Sequence, residues 1–286
     1  MAVYRRTYTS YSGRLTPAWS RSLVLFRYSR RKLFQSKLQT ALFVLCFFYP
    51  LACLLIIYAA NNLSFLGRLG GVGSALVNID NKFFLSFIEV QGVLGFVLTA
   101  FTGPGLISPD LANGALPLYL CRPLSRAEYI LGKASVLAIV LSEITWIPGL
   151  VLFAVQSSLA GAGWTWNHLW IAGSMVLSSL IWITVLSLLA MALSAWVKWR
   201  VVAGALLLGV MFFGAGLAQA VNAVLRTQSG HFLNIVYLMG TVWTSLFRVN
   251  MEGSITPPEA WIALLIYCAI CLALLVRRVR AYEVVK

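Results

Sequence analysis

The sequence predicts an all-α membrane protein: six transmembrane helices in one domain, preceded by a helix lying in the membrane interface. Three observations carry this. Sixty per cent of the 286 residues are hydrophobic and only ten per cent charged, with a mean hydropathy of +0.85. A soluble domain of that length needs far more charge on its surface. The apolar residues gather in six runs, each about long enough to cross a bilayer as a helix. Eighteen of the 22 lysines and arginines then fall on one side of those runs. That asymmetry accounts for the net charge of +14 and places both termini in the cytoplasm. It also removes nucleic acid from the expected partners.

Residues 1–37 hold nine basic residues and no acid. From about residue 17 the segment turns amphipathic, with Trp19, Leu23, Phe26 and Leu33 at helical spacing and arginines around the rest. Such a helix rests its apolar face in the interface while its basic side chains reach anionic lipid headgroups. The spans follow at about 38–60, 83–101, 131–159, 168–197, 201–224 and 259–276. The third is longer than a bilayer requires, and Pro148-Gly149 predicts a kink in it. The fifth carries a stripe of small residues, Ala205, Gly209, Gly216 and Ala220, where another helix can approach closely. Residues 225–258 are too polar to span yet rich in Phe, Leu, Val and Trp. They are expected as short helices re-entering from the outer side, which membranes tolerate only against protein or water. Cys268 and Cys271 have metal-like spacing, but inside an apolar span they read as small apolar filler.

Between the second and third spans lies a polar island, Leu106–Lys133, with three prolines and five charges. Lipid cannot satisfy such a segment, so it faces water or a partner protein. Ser108-Pro109-Asp110 offers an N-cap, a proline at the first helical position and an acid in the first turn. Ser125-x-x-Glu128 is a capping box that opens the next long helix. The local logic gives a short amphipathic helix, a bend at Pro117 and Pro123, and a span rooted by Arg126 and Lys133.

Asp110, Gly114, Leu120, Arg122, Pro123, Leu124, Ser125, Arg126, Tyr129, Gly132 and Lys133 together form a pattern. It resembles the loop between the second and third helices of ABC-2 type permeases, the membrane subunits of one class of ATP-driven transporters. The motif covers about a tenth of the chain, and the span layout fits that family over nearly all of it. The resemblance implies an ABC-2 permease-like fold in which this loop is the cytoplasmic coupling helix that docks on a separate ATPase subunit. Carried over residue by residue, the docking set is Asp110, Gly114, Arg122, Pro123, Ser125, Arg126, Tyr129 and Lys133. It further implies a translocation pathway formed with a second permease copy, a homodimer or a close paralogue. Export is the expected direction, and a bacterial cytoplasmic membrane the expected setting.

No Walker, H-E-x-x-H or G-x-S-x-G motif is present, and no histidine has a carboxylate beside it in sequence. The chain is therefore expected to be non-catalytic and to bind no cofactor, with ATP and magnesium held by the ATPase subunit. Glu89 and Glu143 lie inside predicted spans, about 9 and 15 Å from opposite ends on the helical rise. Intramembrane carboxylates are costly and mark transport pathways by default; the competing reading is a protonated acid hydrogen-bonded within the bundle. Two other functions compete. A membrane-embedded lipid-modifying enzyme needs a polar constellation at one face, which the sequence does not show. An ion-coupled carrier is favoured by inverted repeats, and no clear internal repeat is visible.

Overall fold

A computed structural model describes residues 19–62, 78–114, 126–250 and 253–278. Among them there are helices and no strands, and six helical stretches are long and apolar enough to cross a membrane. The chain is a multi-pass membrane protein. α1 (Trp19–Leu33) carries Arg30, Arg31 and Lys32 in its last turn, where cations suit the negative end of the helix dipole.

The first span is broken into α2 (Lys37–Leu45) and α3 (Phe48–Asn61). The break has a local cause. Pro50 has no N–H and crowds the carbonyl four residues earlier, that of Cys46. Gln91 Nε2, fully buried on the next span, donates to that freed carbonyl at 3.1 Å.

α4 (Asn81–Thr102) is capped by Asp80, which accepts from the Lys82 and Phe83 amides. The chain turns at Gly103 and continues as α5 (Pro104–Ala112). The expected start, with Ser108 as cap and Pro109 first in the helix, is therefore corrected by five residues. Gly103 sits too close to Ala190 Cβ and Thr99 O to accept a side chain, and Pro104 takes the first helical position. Ser108 is an interior residue of α5 rather than its cap. Gly114, at φ 62°, follows the end of α5 in the left-handed region glycine favours.

The third span is α6 (Arg126–Ile144) and α7 (Trp146–Ala160), parted at Thr145 in front of Pro148 as the proline predicts. α8 (Ala162–Trp196) runs for 35 residues, about 52 Å at the helical rise. It is the mast of the bundle and packs against α4, α5, α6, α7, α9, α10 and α11. α9 (Arg200–Leu225) returns beside it. A 3-10 turn at Ser229–Leu233 and α10 (Ile235–Leu246) follow, α10 being too short to span. α11 (Pro257–Arg278) closes the bundle. It opens on a capping box in which Glu259 accepts from the Thr256 amide at 2.9 Å.

In the most apolar stretch of each span, the second, third and fourth bury more than half of their residues within the chain, and the first, fifth and sixth less than a third. The expected small-residue stripe on α9 lies on an open face: Ala205 and Ala220 are exposed, and nothing from another helix comes within 4 Å of a Cβ built at Gly209 or Gly216. Close packing inside the chain uses Gly204 instead, where a Cβ would stand 2.8 Å from the Ala100 carbonyl. Gly204→Ala should cost about 1–3 kcal/mol, because α4 backbone must move. Gly209→Ala should be neutral. Thermal unfolding of the purified variants checks both.

Candidate functional site

Two ion pairs occur among the described residues, and both are made by α6. The first lies near its start. Tyr129 and Lys133 are one turn apart and so share a face of the helix. Lys133 Nζ is 2.9 Å from Asp110 Oδ2 on α5, and the Tyr129 hydroxyl donates to the same oxygen at 2.8 Å. Tyr129 is fully buried and Lys133 is 5% exposed. Taking two charges out of water is repaid only with good geometry and further hydrogen bonds, and the tyrosine supplies one here. Three residues expected to dock an ATPase thus meet one another in a buried latch between α5 and α6.

α5 is tied on its other side as well. The Ser194 hydroxyl of α8 accepts from the Ser108 amide at 2.9 Å and donates to the Pro104 carbonyl at 3.1 Å. It therefore stands between the two ends of what would be the first i→i−4 bond of α5. Ser108 Oγ donates in turn to the Ser194 carbonyl at 3.0 Å. α5 is clamped between the mast and the foot of α6.

The second ion pair joins Arg30 Nη2 of α1 to Glu143 Oε1 at 2.7 Å, with both side chains partly exposed. Glu143 lies two residues before the break at Thr145. Glu89 makes no ion pair among the described residues; it lies within electrostatic reach of the Tyr49 hydroxyl. The two acids, placed at similar depths by the sequence, are not bonded to each other. Glu143 lies inside the third span, so the exposed part of the pair does not face bulk water, and Glu143→Gln, which leaves Arg30 unpaired, should destabilise the chain by more than the ~1 kcal/mol of a solvated surface pair. Thermal unfolding checks this.

Of the other docking residues, Gly114 is exposed, with no atom of the described residues within 4 Å of a Cβ built on it. Arg122, Pro123 and Ser125 lie outside the described residues, as does the Arg126 side chain. Sequence reasoning missed Arg30 and Ser194. Arg30 is one of nine basic residues spread over the first 37, with nothing to mark it, and Ser194 is an ordinary helical serine. The Tyr129–Lys133 spacing was a usable signal.

No group of side chains suited to a metal ion occurs among the described residues. No curated protein matches the chain in sequence. The model of a family described as ABC-2 family transporter protein matches residues 30–282, from the end of α1 past the end of α11. With six membrane-crossing helices and a match over most of its length, the chain belongs to the ABC-2 family of transporter permeases.

Proposed function

We propose that the chain is one of two permease copies in an ATP-driven exporter, energised by separate ATPase subunits that dock on the segment from α5 to the foot of α6. The buried latch of Asp110, Tyr129 and Lys133 carries this reading beyond family membership. A push on a solvated loop does nothing to a bundle unless the loop is fastened to something stiff. Here α5 is fastened twice, to α6 through the latch and to α8 through Ser194. Movement of residues 104–125 would tilt α6 against the mast, switching the pathway between inward and outward access.

The excess of lysine and arginine at this end supports a cytoplasmic setting for it. The open faces of the first and fifth spans suit a second copy and lipid. ATP and magnesium belong to the ATPase subunit, since this chain has no phosphate-binding loop motif. Of the two acids proposed for the pathway, Glu89 is the better placed, because Glu143 is held by Arg30.

Co-purification tests the docking assignment. A Walker-motif ATPase co-expressed with the wild-type chain should be retained with it. Charge reversal at Arg122 and Arg126 together should release it. Undiminished retention in that double variant would count against the assignment.

A further inference from the structure

Beside the latch lies a pocket of about 80 Å³, walled by α1, α2, the α4–α5 junction, the foot of α6 and the start of α9. One water needs roughly 10–15 Å³ of such space, so the pocket takes a group several times larger. Charged side chains line it from four elements: Lys32 from α1, Asp110 from α5, Lys133 from α6 and Arg200 from α9. Asp110 and Lys133 satisfy each other, while Lys32 and Arg200 have no hydrogen-bond or ion-pair partner among the described residues. The lining therefore carries two surplus positive charges. A second observation is independent of charge. Ser29 lines the same pocket, is 6% exposed, and its hydroxyl is buried with no hydrogen-bond partner. Buried hydroxyls nearly always have a partner, and this one belongs to a residue of the pocket wall. Arg200 also opens α9, whose first amides lack intrahelical partners and add partial positive charge.

We propose that this pocket binds a phosphate-ester anion, held by the Arg200 guanidinium, the Lys32 ammonium and the Ser29 hydroxyl. Several oxygen acceptors on one compact anion match a guanidinium fork, an ammonium and a hydroxyl converging from different helices. The pocket opens beside the amphipathic α1, where the headgroup of an anionic phospholipid would lie; free phosphate offers the same chemistry. Lys133 borders both the pocket and Asp110, so an occupant competes for it and sets how firmly α5 is latched. That last consequence rests on the coupling reading above, whereas the binding itself does not.

Native mass spectrometry of the purified full-length chain tests the site, with phosphatidylglycerol, phosphatidylcholine or inorganic phosphate added in separate arms. No ATPase is needed, so failure here is distinguishable from failure of the docking assignment. The expected result is one phosphatidylglycerol retained per chain, with phosphatidylcholine lost. Arg200→Gln and Lys32→Gln should each weaken retention about tenfold, and Arg200→Lys should recover part of it. Arg31→Gln, at an exposed arginine of the same helix that does not line the pocket, should change nothing. Retention of inorganic phosphate with the same residue dependence supports the site and assigns it the soluble ion. Equal retention of both lipids, indifference to Arg200→Gln and Lys32→Gln, or an equal effect of Arg31→Gln would overturn the proposal.

Discussion

Lys133→Met is expected to destabilise the chain by about 3–5 kcal/mol, the usual cost of removing one partner from a buried ion pair. Methionine keeps most of the stem but leaves the Asp110 carboxylate, with 13% of its side chain exposed, with the Tyr129 hydroxyl as its one hydrogen-bonding side chain among the described residues. Asp110→Asn should cost less, because the amide oxygen still accepts from Tyr129. Combining the two should cost clearly less than their sum, since the second change neutralises the charge that the first leaves stranded. Thermal unfolding gives the stability terms. Transport driven by the ATPase should fall in all three variants at matched assembly, because α5 no longer grips α6. Additive stability effects would mean that the three side chains are neighbours without being a latch.

Trp243→Ala should be comparably severe, at about 3–5 kcal/mol. α10 cannot span the membrane and is held in place by what it packs against. Trp243 is its chief anchor: it is buried, donates from Nε1 to the Ser178 carbonyl of α8 at 3.3 Å, and meets the Trp182 ring edge-on at 5.6 Å. Trp182 donates in turn to the Gly92 carbonyl at 2.9 Å, which links α8 to α4. Gly92 is glycine for a steric reason, since a Cβ there would stand 2.6 Å from the Trp243 ring. Truncation should therefore loosen α10 first. Hydrogen exchange would show protection lost over residues 235–246 before the long helices respond.

The long helices were legible because each must offer an unbroken apolar run, and Pro148 announced its own break. Pro50 breaks the first span in the same way and was passed over, being one proline among apolar neighbours. The start of α5 misled for a different reason. Ser108-Pro109-Asp110 is a sound local cap, but local preference lost to Gly103-Pro104 and to the hydroxyl of Ser194, 86 residues away. The latch was half legible. Its residues stood out through a family resemblance and through helical spacing, yet nothing in the chain showed that Asp110 and Tyr129 touch. The Arg30–Glu143 pair joins residues 113 apart. No periodicity reports such a contact, so Glu143 looked like a lone acid.

The claim beneath the proposed function is that the α5–α6 connection lies inside the cell and under an ATPase subunit. Cys121 lies in that connection, and the other four cysteines fall within the first and last spans. A membrane-impermeant maleimide applied to sealed vesicles of either orientation tests the claim directly. The account predicts that Cys121 reacts only in inverted vesicles and is shielded once the ATPase subunit is bound. Reaction in right-side-out vesicles, or full reactivity with the ATPase in place, would contradict it.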